Sequence, residues 1–114
     1  MRAVVKTAPG AGHVELRQVP EPTPGAGEVL IAVKAAGICG TDLHIWHDEF
    51  PTRPPVTLGH EVAGKVAAVG AGVTRVRPGD AVTSETYFHL CGACRFCRCG
   101  RRQRCVSRST AAAL

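Results

Sequence analysis

Residues 28–47 read EVLIAVKAAGICGTDLHIWH. Val29, Ile31 and Val33 recur at every second position, so they share one face of an extended strand over Glu28–Ala35 with Lys34 on the other. Gly37 to Gly40 then makes a tight passage into a short helical segment, Thr41–His47. Outward from this centre the same grammar repeats. Upstream, Ala3–Thr7 is a short apolar strand, Gly10-Ala11-Gly12 a turn, and Val14–Val19 an alternating strand. Pro20, Pro22, Pro24, Gly25 and Gly27 break regular pairing and give an extended connector. Downstream, Pro51, Pro54 and Pro55 mark a loop, and Glu61–Val69 is a strand interrupted by Gly64, which predicts a bulge or bend. Arg77-Pro78-Gly79-Asp80 is a turn before a strand near Ala81–Ser84. Many short strands with Gly/Pro turns predict a mainly β chain forming a partly open barrel.

A chain of 114 residues is one domain at most, large enough for a modest core. With aromatic residues at only 4%, that core must be built from Val, Ala, Leu and Ile. No apolar run reaches membrane-spanning length, and the N-terminus lacks the apolar stretch of a signal peptide. The expectation is a cytoplasmic protein with no membrane partner. Six cysteines in that setting stay reduced, and their clustering favours metal over disulfides. The net charge of +5 is concentrated: residues 91–108 hold six of fourteen basic residues and no acidic one, leaving eight basic against nine acidic elsewhere. Around a metal held by thiolates such arginines compensate charge, and this reading is preferred to a nucleic-acid surface.

Cys91, Cys94, Cys97 and Cys105 are spaced C-x₂-C-x₂-C-x₇-C. Close C-x₂-C pairs bring sulfurs to one ion from a tight turn, and four thiolates make the closed tetrahedron of a structural zinc. A zinc ribbon needs two separated C-x₂-C knuckles, whereas seven residues lie between Cys97 and Cys105. A ferredoxin-type run starts identically, but its fourth cysteine would fall at Arg101. Cys99 is left over, either as an exposed thiol or as an alternative ligand.

A second set is dispersed: Cys39, Thr41, Asp42, His44, His60 and Glu61. Singly, Cys39 reads as a small core residue and each histidine as a satisfied surface group. Together they offer a thiolate, an imidazole and a carboxylate, the ligand types of an open catalytic zinc. Thr41 and His44 add an alcohol and an imidazole suited to proton transfer. His47 and Asp48 read as solvated.

The run Gly37-Ile38-Cys39-Gly40-Thr41-Asp42-Leu43-His44, then Gly59-His60-Glu61-Val62-Ala63-Gly64, resembles the medium-chain zinc alcohol dehydrogenases. Gly70, Val73 and Gly79-Asp80-Ala81-Val82 continue the likeness, and Cys91–Cys105 is similar to that family's structural zinc lobe. Polyol (sorbitol or iditol) and L-threonine dehydrogenases look most alike. The resemblance implies a GroES-like catalytic domain over residues 1–106, with a zinc lobe at 88–106; the small, featureless residues 107–114 read as a flexible tail unrelated to the family. It implies that Cys39 and His60 hold a catalytic zinc, with Glu61 as a direct, alternating or supporting carboxylate. Thr41 would take the proton of an alcohol or polyol substrate, His44 would pass it to water, and Asp42 would anchor the loop electrostatically. Hydride would go to NAD or NADP.

No glycine cluster here has the G-x-G-x-x-G pattern of a dinucleotide fold: the runs from Gly10, Gly25 and Gly70 end at Glu15, Leu30 and Arg75. The expectation is a chain truncated before its Rossmann domain, inactive or nearly so by itself, with exposed edges that favour self-association. Two other readings stand beside it: a non-enzymatic zinc-binding or interaction module, and a zinc-stabilised nucleic-acid binder using the arginine-rich lobe.

Overall fold

The computed structural model describes residues 1–110. Eight strands fall into three antiparallel sheets, and the sheets stay open, with no closed barrel among the described residues. In the first, β1 (Arg2–Lys6) lies between β2 (Val14–Gln18) and β4 (Val56–Thr57). The second carries the site. Here β5 (Glu61–Val69) lies between β3 (Val29–Gly37) and β6 (Ala81–Thr83). The third pairs β7 (Tyr87–His89) with β8 (Ser109–Thr110). Helix α1 (Gly40–Trp46) follows β3 directly, and α2 (Arg95–Arg98) and a 3₁₀ turn (Arg102–Arg104) lie in the cysteine-rich lobe.

The predicted bulge at Gly64 exists, but the extra residue is on the partner strand. Val33 pairs with Gly64 and Ala35 with Ala63, leaving Lys34 unmatched. A Cβ on Gly64 would sit 2.3 Å from the carbonyl oxygen of Ala32, so glycine lets the bulged strand come this close. The Pro/Gly connector is tied down at its end: Gly27 donates to the carbonyl of Ala71 and Gly70 to that of Glu28. The 77–80 turn forms as expected, with Arg77 N–H donating to the Asp80 carboxylate and Gly79 at φ +97°.

Among the described residues, Val5, Ile45, Val56, Val66 and Cys105 are the buried apolar ones, a small core. The radius of gyration is 15.0 Å and the extents are 40 × 32 × 20 Å, flatter than the ~13 Å expected of a compact chain this long. Leu16, Val33, Ile38, Leu43 and Trp46 remain exposed.

Three differences from the sequence reading have physical causes. Lys6, expected in an ordinary strand, is fully buried and donates to the carbonyls of Gly10 and Gly12, with Asp48 3.8 Å away. Asp48 is exposed, as expected of a solvated residue, and its carboxylate also faces the Lys6 ammonium. The proline loop contains β4, because its two residues close a gap beside β1 and need no alternating pattern. The tail expected from residue 107 contains β8, whose backbone pairs with Tyr87 and His89 without any apolar signature. Residues 111–114 of that expected tail lie outside the described residues.

Candidate metal centres and catalytic residues

The β3–β5 register builds the first centre. Gly37 pairs with Glu61, so the chain leaving β3 and the chain entering β5 meet at one end of the ladder. Two residues past Gly37 stands Cys39, and immediately before Glu61 stands His60. Cys39 Sγ comes within 2.9 Å of His60 Nε2. Cys39 is also the N-cap of α1, where its Sγ accepts from the Thr41 N–H at 3.3 Å. Asp42 completes the capping box by accepting the Cys39 N–H at 2.9 Å. Gly59, at φ +108°, turns the chain so that His60 is 8% exposed.

Two atoms behind this contact are orphaned. Asp42 Oδ1 and His60 Nδ1 are buried without hydrogen-bond partners, and they face each other at 3.7 Å. With Nε2 turned to the Cys39 sulfur, a metal would take Nε2 and leave the proton on Nδ1, aimed at Asp42. Asp42 then orients the ligand, although its carboxylate falls within 4.8 Å of both Cys39 and His60 ligand atoms. One imidazole nitrogen already faces sulfur and the other faces Asp42, so direct ligation by Asp42 would cost this arrangement. Zinc–ligand lengths in a tetrahedron put sulfur and nitrogen roughly 3.6 Å apart. A bound ion would therefore replace the direct 2.9 Å contact after a shift of less than an ångström.

Glu61 does not join this group of atoms among the described residues. It is exposed, and its carboxylate lies over Gly37, where a Cβ would stand 2.6 Å from Oε2. Thr41 is half-buried beside Cys39 on the first turn of α1. His44, three residues on along the same helix face, is exposed, and its Nδ1 pairs with Glu49 Oε2 at 2.7 Å. The sequence reading had not singled out Glu49. Its signal is only its position just beyond the helix, where its N–H also donates to the His44 carbonyl at 2.8 Å.

The second centre is the cysteine lobe. Ligand sulfurs of Cys91, Cys94, Cys97 and Cys105 all lie within 4.8 Å of one another. Cys91 Sγ is 4.0 Å from that of Cys97 and 3.5 Å from that of Cys105. Four sulfurs ~2.3 Å from one ion stand ~3.8 Å apart, so the lobe fits tetrahedral zinc. All six cysteines are free thiols, and Cys99 lies exposed outside the group with its sulfur toward the Phe96 carbonyl. The thiols are differentiated. Backbone N–H groups of Cys97 and then Val106 hold Cys94 down at about 6. Loss of water, then the neighbouring Cys105 and Cys94 sulfurs, pushes Cys97 up to about 12. The Cys91 N–H lowers Cys105.

Residues 25–113 match the sequence profile of the alcohol dehydrogenase GroES-like domain. The chain is 46% identical over 108 residues to a sorbitol dehydrogenase of Halalkalibacterium halodurans, covering 95% of this chain and 32% of that protein. It is 50% identical over 112 residues to an L-threonine 3-dehydrogenase of Saccharopolyspora erythraea, covering 94% and 32%. The solved cobalt- and zinc-bound thermostable alcohol dehydrogenase of Pyrobaculum aerophilum superposes with a TM-score of 0.85 at 38% identity, covering 99% of this chain and 34% of that one. The chain belongs to the alcohol dehydrogenase GroES-like domain family, as the motifs around Cys39 and His60 imply. It spans about a third of the length of the curated relatives it matches. No helix among the described residues is long and apolar enough to cross a membrane.

Proposed function

We propose that this chain supplies the zinc-binding catalytic portion of a nicotinamide-dependent dehydrogenase that oxidises a polyol or a hydroxy amino acid. The observation that supports it is the buried Cys39–His60 contact backed by Asp42. A zinc held by Cys39 and His60, with Glu61 as a candidate further carboxylate, would supply Lewis acidity that lowers the pKa of a substrate hydroxyl. The chain's own residues handle the proton. Thr41 stands beside Cys39 with a hydroxyl that can accept from and donate to neighbours. His44 is exposed to water and held by Glu49, so a proton received at its free ring nitrogen can leave to solvent. A cleft of about 460 Å³, bordered by Gly59, His60, Val62 and Ser84, lies next to His60 and can admit a small alcohol. Cys91, Cys94, Cys97 and Cys105 would hold a second, structural zinc. The described sheets are antiparallel, and a nicotinamide-binding fold is not among them.

The test is a chimera in which this chain replaces the matching third of the Halalkalibacterium halodurans sorbitol dehydrogenase. Reduction of NAD or NADP in the presence of sorbitol or L-threonine supports the reading. A soluble chimera that carries two zincs and oxidises neither overturns it.

A further inference from the structure

The cysteine lobe carries six arginines, Arg95, Arg98, Arg101, Arg102, Arg104 and Arg108, all exposed. The sequence reading assigned them to charge compensation at the metal. Their contacts show a different arrangement. Among the described residues none of the six pairs with a carboxylate. The N–H groups that face the four clustered sulfurs are backbone ones, those of Cys91, Cys94, Cys97 and Val106 among them, and the other close partners are neighbouring thiols, not guanidiniums. Six guanidiniums against a formal −2 for zinc on four thiolates leave a surplus of +4 on this lobe.

Three of the six frame one cleft of about 550 Å³, with Gln103 at its rim and Phe96 and Cys105 in its lining. The Arg95 guanidinium lies 4.5 Å and that of Arg104 5.7 Å from the Phe96 ring centre. Arg108 lies 5.3 Å from the Tyr87 ring centre and donates to the Gln103 carbonyl. Stacking on a ring uses the flat face of a guanidinium and leaves the in-plane N–H forks of Arg95 and Arg104 unspent, while Arg108 keeps its donors other than the Nη1 that bonds Gln103. It also fixes long side chains that would otherwise lose entropy on binding. Such forks match pairs of phosphoryl oxygens.

We propose that the cleft framed by Arg95, Arg104 and Arg108 binds a small soluble anion of the diphosphate class. Two linked phosphoryl groups offer each of the three guanidiniums its own pair of oxygens and carry more charge to match the surplus on the lobe than a single phosphate does. An extended nucleic acid fits less well, because Phe96 and Tyr87 are already stacked by guanidiniums rather than open to bases.

The experiment is calorimetric titration of the zinc-loaded full chain with inorganic pyrophosphate, at low and at physiological ionic strength. One pyrophosphate per chain is expected. Arg104→Gln, Arg104→Lys and Arg108→Gln should each weaken it by about tenfold or more, since lysine keeps the charge but not the fork. Arg98→Gln, on the same lobe but outside the cleft, should weaken it by less than about threefold, the scale of a surface charge. Zinc content of every variant verifies that the lobe is intact, and if Arg104→Gln loses zinc, Arg108→Gln, which lies over Tyr87 rather than Phe96, decides. Equal losses from Arg98→Gln and the cleft variants would overturn the proposal in favour of a diffuse positive field. So would no binding of pyrophosphate, or a single-stranded oligonucleotide that binds more tightly and loses affinity with every arginine removed.

Discussion

Cys39 Sγ and His60 Nε2 stand 2.9 Å apart although 21 positions separate them in sequence. The Gly37–Glu61 pairing at the end of the β3–β5 ladder brings them together, and the α1 capping box fixes the cysteine. A site positioned by a sheet register and a helix cap needs few flexible joints, which is what a metal centre requires of its ligands.

The two centres should be separable by counting metal. The zinc-loaded chain is expected to hold two zincs by elemental analysis. Cys39→Ser should leave one, because the lobe sulfurs form an independent group. Cys94→Ser should empty the lobe while Cys39 and His60 retain theirs. Loss of both zincs from Cys39→Ser would mean that the centres fold as one unit.

The metal-free lobe should show a stability maximum near the ordinary thiol pKa. Cys94 titrates at about 6 in the fold against 9.0 unperturbed, so its stabilisation is full above 9.0 and is lost as pH falls toward 6. Cys105 is lowered and acts in the same direction. Cys97 has the opposite sign: raised to about 12, it stabilises below 9.0 and that contribution is lost as pH rises toward 12. Thermal melts of chelator-treated chain across pH 6 to pH 11 should therefore peak near 9.0, with the midpoint falling on both sides. In the same metal-free chain Cys94 should be the lobe thiol alkylated first at neutral pH, and zinc should abolish that reactivity.

Much of the architecture is legible in sequence because it rests on local pattern. The alternation of Val29, Ile31 and Val33, the Gly/Pro turns and the close cysteine spacing each have one dominant physical meaning. The strand expected over Glu61–Val69 coincides with β5, and the four lobe cysteines converge. What escaped depends on partners distant in sequence. Lys6 looks like a surface residue of a strand until the 10–12 turn folds over it. The side-chain direction of Glu61 is set by the bare backbone of Gly37 across the sheet, which no local spacing encodes. β4 has two residues, too few for any period to register. Asp42, read as a loop anchor, does cap α1, but its approach to His60 depends on the same long-range register.

Gly70 should be nearly irreplaceable. A Cβ there would lie 1.7 Å from the Gly25 carbonyl oxygen, which is backbone and cannot rotate away. Gly70→Ala is expected to cost about 1–3 kcal/mol, toward the upper end, by urea denaturation. Gly40→Ala, with open space around its Cβ and a place in α1, should be neutral or stabilising by up to about 1 kcal/mol. Equal effects would mean that the connector yields and the close approach is not required.

Lys6 should matter more than Asp48. Lys6→Met leaves the carbonyls of Gly10 and Gly12 without their donor in a buried setting, an expected loss of about 1–3 kcal/mol. Asp48 is 43% exposed and 3.8 Å from the ammonium, so Asp48→Asn should cost no more than about 1 kcal/mol. Denaturant unfolding of both variants checks the order. The reverse order would place the stabilisation in the ion pair rather than in the carbonyl cradle.

The last prediction separates two carboxylates, Glu61, read from the sequence as a metal carboxylate, and Asp42, read as a loop anchor. Asp42 Oδ1 faces the His60 Nδ1 at 3.7 Å with both atoms buried and unpartnered, whereas Glu61 is exposed over Gly37. A carboxylate that orients a histidine ligand typically contributes about 10- to 100-fold in metal affinity. Asp42→Asn should therefore weaken zinc at the Cys39–His60 centre by that factor in competition with a chelator. Part of the loss reflects the weakened cap on α1, and Asp42→Ser, which can still accept the Cys39 N–H, reports how much. Glu61→Gln tests direct ligation: a loss as large as that of Asp42→Asn would mean that Glu61 swings from Gly37 onto the metal. A small change would leave the thiolate and imidazole as the ligands this fold presets and Asp42 as the group that aims them.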